Sequence, residues 1–144
     1  MEVKIYPINT GYIRLDKGAY ITSKNYGEKV EVPTWSFLIS IGKERILVDT
    51  GMSETKLADW HHPGSYQPKG YRIDERLDKM GVGLEDVSTV ILTHLHWDHV
   101  ANSSKFSKAR FVIQKTELDL LSCFGLITCQ SVNLKDVLYI PRSC

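Results

Sequence analysis

Four potential metal ligands stand within six consecutive positions of this 144-residue chain: His94, His96, Asp98 and His99. Imidazole nitrogens bind zinc, copper, iron and nickel, and a carboxylate adds an oxygen ligand. Two histidines separated by one residue would be typical of a polar surface loop. Four ligands in so short a stretch favour a metal site instead.

The spacing of these ligands predicts an extended chain rather than a helix. On a helix His94 and His96 would point about 200° apart, because each residue turns the chain by about 100°. In an extended chain, residues two apart project to the same side, so His94, His96 and Asp98 can converge. His99 follows Asp98 directly and points elsewhere. We therefore predict two neighbouring metal sites, with His94 and His96 on one and Asp98 and His99 on the other.

The predicted ligand loop directly follows a predicted buried strand. Residues 87–93 are mostly β-branched or apolar and contain neither glycine nor proline, which is typical of a strand inside a core. The ligands therefore lie where a strand leaves the core, a usual location for chemical sites.

Other strands are indicated by alternation and by turn residues. Residues 3–8 alternate apolar and polar side chains, and residues 11–15 form a second strand or its continuation. Residues 34–41 and 45–49 are rich in β-formers on either side of Gly42-Lys43-Glu44, which predicts a hairpin.

Helices are expected in two places. Residues 73–80 carry apolar side chains at helical spacing, and Gly81 is a suitable C-cap. Residues 110–114 predict a further strand, followed by a helix that Thr116 caps. Two stretches, residues 16–32 and 52–71, are polar or rich in glycine and proline, and they predict loops.

These motifs resemble the metallo-β-lactamase fold superfamily, in which the pattern of residues 94–99 is the metal-binding signature. Residues 46–52 are similar to the strand and turn that carry a supporting aspartate in that superfamily, here Asp49. Residues 33–39, followed by that run, resemble the N-acyl-homoserine lactonase branch. The resemblance implies an α+β protein with an αβ/βα sandwich fold. It covers about residues 3–118, which correspond to the N-terminal αβ half of such an enzyme.

The resemblance also implies a chemistry. Two divalent metal ions, most often zinc with manganese or iron as alternatives, hold a hydroxide that attacks the carbonyl of a lactone or related ester. Asp98 would bind the second metal and move a proton to the leaving group, which makes it the candidate catalytic residue. Asp49 would orient a ligand histidine or the loop backbone, although a turn-capping role is an equal alternative. A thioesterase or a β-lactamase-like hydrolase remains a further alternative.

The chain departs from the family pattern after the motif. Relatives complete their two-metal site with two more histidines and a bridging acidic residue from the second half of the fold. No histidine follows His99, and the acidic residues beyond it are Glu117, Asp119 and Asp136. The alternatives are therefore an enzyme, alone or completed by another chain such as a second copy in a homo-oligomer, and a non-catalytic fragment with a partial metal site.

The last part of the chain has a different character. All three cysteines, Cys123, Cys129 and Cys144, lie in the final 22 residues. We predict a boundary between a metallo-β-lactamase-like part, residues 1–121, and an unmatched tail, residues 122–144. A shifted frame, a retained intron or an alternative exon would explain such a tail, and a divergent helix and strand is the alternative.

Composition restricts the partners. The chain is 42% hydrophobic and 24% charged, with a formal net charge of +1. This charge gives no reason to expect nucleic acid or an anionic membrane as partner. No stretch approaches the roughly 20 apolar residues of a membrane span, and no signal peptide is evident. We expect a cytoplasmic protein that acts on a small lactone or ester.

Two pairs of large side chains have open roles. Trp35 and Trp60 could line an acyl pocket, but large aromatic residues more often belong to the core. His61 and His62 could supply a ligand or touch substrate, but adjacent histidines in a loop are more often surface residues.

Overall fold

A computed structural model describes residues 2–21, 24–124 and 137–140. In these residues six strands form one mixed sheet in the order β1-β2-β3-β4-β5-β6. The first three strands are antiparallel, and β3 to β6 run parallel to one another. The strands are β1 (Val3–Asp16), β2 (Lys29–Ile41), β3 (Glu44–Val48), β4 (Thr89–Leu92), β5 (Arg110–Gln114) and β6 (Val137–Ile140).

Short helices connect the strands. They are α1 (Lys17–Tyr20), α2 (Thr55–His61), α3 (Ile73–Asp78), α4 (Trp97–Val100) and α5 (Lys115–Phe124), with 3-10 turns at Leu84–Asp86 and Ser103–Lys105. Among the described residues, none of these helices has the length and apolar character that a membrane crossing requires.

One face of the sheet carries the apolar core. The helix α3 packs there because its apolar side chains recur at helical spacing, and both Ile73 and Leu77 are fully buried. The helix ends at Asp78, and Gly81 closes the turn that follows with a left-handed φ of 70° and a backbone hydrogen bond to the carbonyl of Asp78. The prediction of this helix is confirmed, but its C-cap is Lys79 rather than Gly81. The core residues are Ile8, Leu38, Leu47, Ile73, Leu77, Val82, Val87, Val90, Leu92, Leu95, Val100, Phe106, Ala109, Phe111 and Ile113.

The opposite face of the sheet is also apolar, but it is open in the part of the chain that the structure describes. Strand β2 alternates, so that Leu38 is buried in the core while Phe37 is 39% exposed on the other side. Phe37 pairs with Val48 on β3, and that row continues through Ile91 to Val112. We call this surface the open face. Its apolar residues, from β1 to β5, are Val3, Ile5, Phe37, Ile39, Ile41, Ile46, Val48, Ile91 and Val112.

The predicted hairpin and the predicted strand before the ligand loop are confirmed as β2–β3 and β4. The loop predicted for residues 16–32 is wrong in part, because β1 runs on to Asp16 and pairs there with Lys29. Between them α1 is stabilised by Asp16, whose Oδ1 accepts a hydrogen bond of 2.9 Å from the backbone of Gly18. The paired ends of β1 and β2 are partly exposed here. Polar residues therefore occur on both faces, and the apolar–polar alternation that would have predicted strands is lost.

The loop predicted for residues 52–71 contains the helix α2. Its seven residues precede the prolines and glycines on which the loop prediction depended. The helix α5 begins at Lys115, so Thr116 lies inside it and does not cap it.

The helix α5 also continues to Phe124, across the predicted boundary at residues 121 and 122. Beyond it, β6 pairs with β5 in parallel, with Val112 opposite Leu138. The other residues of the predicted tail, including Cys129 and Cys144, lie outside the described residues. The origin of residues 122–144 stays a prediction.

Candidate metal centre

The predicted site residues come from the carboxyl ends of two neighbouring parallel strands. Asp49 directly follows β3, and the ligand loop begins at Thr93, directly after β4. The backbone N–H of Asp49 donates to the carbonyl of Ile91 at 2.9 Å, which continues the pairing of the two strands. The parallel ladder therefore brings residues that are more than 40 positions apart to one edge of the sheet.

Asp49 is buried at this edge and joins the two loops. Its side chain is only 5% exposed. Oδ1 accepts from the backbone N–H of Thr93 at 2.8 Å, and Oδ2 accepts from Thr93 Oγ1 at 2.7 Å. The same Oδ2 lies 2.8 Å from Nδ1 of His99. These contacts suit a residue that orients both a ligand histidine and the loop backbone, and that role of Asp49 stays a prediction.

The backbone of Asp49 is itself unusual. Its φ of 58° lies in the left-handed region, which aspartate tolerates better than most residues but which still costs free energy. Such backbone strain persists where surrounding contacts hold it, and it is frequent at functional sites. Here the three hydrogen bonds of the carboxylate hold it.

The turn after Asp49 is hydrogen-bonded to α4 and to the segment that follows it. Thr50 N–H donates to the carbonyl of His99 at 2.7 Å. Asn102 Nδ2 donates to the carbonyls of Thr50 and Met52, each at 3.0 Å. Gly51 is required between them, because its φ is 78° and a Cβ there would stand 2.6 Å from Thr10. We call this set of contacts the turn clamp.

The ligand loop is extended only at its start. His96 has φ −70° and ψ 148°, and the helix α4 begins at the next residue. Asp98 and His99 therefore lie on a helical turn, contrary to the prediction of an extended chain through Asp98. The structure brings the three histidines together all the same: the ring centroid of His94 is 4.6 Å from that of His96 and 4.1 Å from that of His99.

The pKa values of these side chains depend on one another, and the change is large for His99. Burial acts to lower the pKa of its imidazole, but hydrogen bonds to Asp49 and Asp98 outweigh it and raise the pKa to about 9. Burial acts to raise the pKa of Asp98, but the hydrogen bond with His99 outweighs it and keeps that pKa below its ordinary value. Burial lowers the pKa of His94, and the neighbouring His99 and His96 lower it further.

The donor types at this edge suit a divalent transition metal, since they are imidazoles and carboxylates. Across the described residues, however, no group of three His, Cys, Asp or Glu side chains is arranged to hold a metal ion as it stands. Two of the predicted ligands contact each other, since Nε2 of His99 lies 3.2 Å from the carboxylate of Asp98. His99 and Asp98 are among the residues that would hold a metal ion at this edge.

A cavity of about 920 Å³ opens beside these residues. One wall is polar and contains His96, Asp98 and His99. The other wall is largely apolar and comes from the two antiparallel strands and α1, through Ile13, Leu15, Tyr20, Val32, Pro33, Trp35 and Phe37. The cavity therefore places a polar centre opposite an apolar surface.

The structure gives positions for the two histidines and two tryptophans whose roles were open. His61 stacks on Trp97, with ring centroids 4.9 Å apart and planes 5° from parallel, and His62 also lines the cavity. Trp35 lines it and is 42% exposed, while Trp60 is 75% exposed against the edge of His61. The preference for the core was wrong for both tryptophans.

Two functional neighbours were missed from the sequence. Thr93 immediately precedes the motif, and Asn102 follows it by three residues. Both carry side chains able to donate to the backbone or to a carboxylate close to the motif, which was the available signal.

The sequence model of the Metallo-beta-lactamase superfamily matches residues 30–120 of this chain. The chain belongs to that superfamily, and the predicted α+β fold is confirmed. Its relatives include the N-acyl homoserine lactonase of Bacillus cereus, which is 30% identical over 125 residues. That alignment covers 81% of this chain and 50% of the lactonase. The lactonase AiiB of Agrobacterium fabrum is 26% identical over 134 residues, with 81% and 49% of the two chains covered.

Solved structures agree with these matches. A Bacillus thuringiensis lactonase with N-decanoyl-L-homoserine at its active site has a TM-score of 0.83 and 25% identity, covering 98% of this chain and 61% of the lactonase. A probable metal-dependent hydrolase from Staphylococcus aureus has a TM-score of 0.74, 19% identity and coverages of 99% and 61%, and shares the fold. The family implies a dinuclear divalent metal site. This chain spans about half the length of the lactonases that it matches by sequence.

Proposed function

We propose that this chain carries the N-terminal part of the active site of a metal-dependent hydrolase that opens N-acyl homoserine lactones or related esters. The observation that supports this most directly is the cluster of His94, His96, Asp98 and His99, of which the last three line a cavity with an apolar wall. Similarity to lactonases of which this chain covers about half supports the substrate class.

The residues of the motif have different roles in this proposal. His94, His96 and His99 would supply imidazole ligands, and Asp98 a carboxylate ligand. Two divalent ions, zinc first with manganese or iron as alternatives, would supply Lewis-acid polarisation of a carbonyl and a water of lowered pKa. Asp98 lies on the cavity side of α4, where its carboxylate could carry a proton to the leaving alkoxide.

The apolar wall would hold the acyl part of the substrate. Trp35 and Phe37 are exposed into the cavity from β2, and Leu15 faces it from β1. Burying these side chains against an alkyl chain would contribute about 25 cal/mol for each Å² of apolar surface removed from water. We therefore expect long acyl chains to bind more tightly than short ones.

A non-catalytic fragment with a partial metal site is the second candidate. It is favoured by the incomplete convergence of the ligands in the described residues and by a span of about half the relatives' length. With His94 and His96 on one metal and Asp98 and His99 on the other, as predicted, each metal would have two protein ligands from this motif, whereas zinc normally has at least three. We therefore expect weaker metal binding than in a full-length lactonase.

Metal content and ring opening separate the two candidates. The purified chain would be dialysed with and without zinc, assayed for bound metal by mass spectrometry, and supplied with N-hexanoyl and N-decanoyl homoserine lactones. Two retained metal ions and measurable ring opening would support the enzyme. Retention of no metal and no ring opening would support the fragment.

A further inference from the structure

We propose that Thr93 is a positioning residue that sets the tautomer of His94, and thereby leaves Nε2 of that histidine available as a metal ligand. The inference rests on the proposed metal-binding function for its consequence, although the tautomer itself can be tested without any metal.

The geometry places Thr93 between a carboxylate and a histidine. Its Oγ1 donates to Oδ2 of Asp49 at 2.7 Å and lies 3.0 Å from Nδ1 of His94. The backbone N–H of Thr93 also donates to Oδ1 of Asp49 at 2.8 Å. Thr93 is thus held in place by two hydrogen bonds, from its backbone N–H and its hydroxyl, to the two oxygens of the buried Asp49 carboxylate.

The proton count of the hydroxyl decides the direction of each hydrogen bond. A threonine hydroxyl has one proton to donate, whereas an ionised carboxylate can only accept. The proton of Thr93 therefore points to Asp49, where the hydrogen bond is charge-assisted and stronger than one to a neutral imidazole. The oxygen of Thr93 can then only accept from His94, so Nδ1 of that ring must carry its proton.

A neutral imidazole with its proton on Nδ1 has its lone pair on Nε2. The same carboxylate contacts Nδ1 of His99 directly, at 2.8 Å. Asp49 would thus hold a proton on Nδ1 of two ligand histidines, of His99 by direct contact and of His94 through Thr93. Partners of this kind, behind the ligands themselves, orient the rings and strengthen metal binding.

The test compares Thr93→Val, which keeps the shape of the side chain without the hydroxyl, with Thr93→Ser, which keeps the hydroxyl. Nitrogen-15 spectra of the His94 ring would be recorded without metal at about pH 8, above the ordinary pKa of histidine. We expect the wild type and Thr93→Ser to show a proton on Nδ1, and Thr93→Val to show a mixture of the two tautomers.

Zinc affinity provides a second readout. We expect Thr93→Val to bind zinc about 10- to 100-fold more weakly than the wild type, and Thr93→Ser to remain close to it. Circular dichroism would establish that each variant is folded. The wild-type spectrum alone decides the matter if Thr93→Val does not fold.

A wild-type His94 with its proton on Nε2, or a Thr93→Val protein that keeps a single Nδ1 tautomer, would overturn the inference. An Nδ1 proton in a wild-type chain that binds no zinc would instead overturn the proposed function and leave the tautomer assignment standing.

Discussion

The carboxylate of Asp49 lies 2.8 Å from Nδ1 of His99, although the two residues are 50 positions apart in the chain. This contact joins the end of β3 to the helix α4. Because the same carboxylate also accepts two hydrogen bonds from Thr93, one buried side chain organises both loops at this edge of the sheet.

Replacing Asp49 by asparagine should therefore destabilise the protein. An amide group would turn a donor toward groups that already donate, and it would leave at least one of them unsatisfied. The expected loss is about 2–4 kcal/mol in the free energy of unfolding, from one or two buried polar groups without partners. Urea unfolding would measure it, with Asp78→Asn at an exposed position of α3 as the matched control. Equal free energies of unfolding for the Asp49 and Asp78 variants would contradict this prediction.

The metal ligands and the cavity histidines should differ in their effect on hydrolysis. His96→Ala and Asp98→Asn should abolish any ring opening that the chain shows, because they remove an imidazole ligand and a carboxylate charge. His62→Ala should retain most of the rate, because His62 is not one of the predicted metal ligands. It lines the cavity and packs beside Trp97, with ring centroids 5.9 Å apart. The measurement is the initial rate of acid release from a lactone. A loss in His62→Ala as large as that in His96→Ala would assign His62 to the metal centre.

The ion pair between Lys105 and Asp74 should make stability depend on pH in the acid range. Burial acts to raise the pKa of Asp74, but hydrogen bonds from Lys105 at 2.9 Å and Arg72 at 2.8 Å outweigh it and lower the pKa from its ordinary value of 3.8. A carboxyl with a lowered pKa contributes stability above its unfolded-state pKa and loses it as the pH falls through the folded-state pKa.

Asp74→Asn should therefore cost about 1 kcal/mol near neutral pH, and the difference from the wild type should shrink below pH 3.8. Lys105→Met should show the same convergence, because it removes the other partner. Denaturant unfolding at a series of pH values is the measurement. Curves that stay parallel into the acid range would show that Asp74 is not the titrating group.

The open face should cause self-association. Ile5 on β1 is 62% exposed and pairs with Ile39 on β2, and contiguous apolar surfaces of this kind favour association. The double variant Ile5→Thr, Ile39→Thr keeps residues that favour strands and should shift the chain toward monomer in sedimentation velocity. Leu57→Gln, at an exposed apolar position on α2, is the control. A wild-type chain that stays monomeric at every concentration would count against the role of the open face.

The parts of the site that could be predicted from the sequence are those that depend on neighbouring residues. The β-branched run before the motif predicts β4, and the ligand types are read directly from residues 94–99. The contact of Asp49 with His99 depends on the parallel pairing of β3 with β4, which no local pattern specifies, so only the resemblance indicated Asp49. The position of His61 in the cavity wall depends on α2. That helix was not predicted, because the prolines and glycines that follow it indicated a loop.

The turn clamp, together with the hydrogen bond from Thr93 to Asp49, has a consequence for local opening. Thr50 N–H is bonded to His99, Asn102 is bonded to the carbonyls of Thr50 and Met52, and Thr93 N–H is bonded to Asp49. Neither loop can move away without breaking hydrogen bonds of the other, so the two should fluctuate as one cooperative unit. The amide hydrogens of Thr50 and Thr93 should then exchange with solvent at matched rates, and a substitution in either loop should accelerate both.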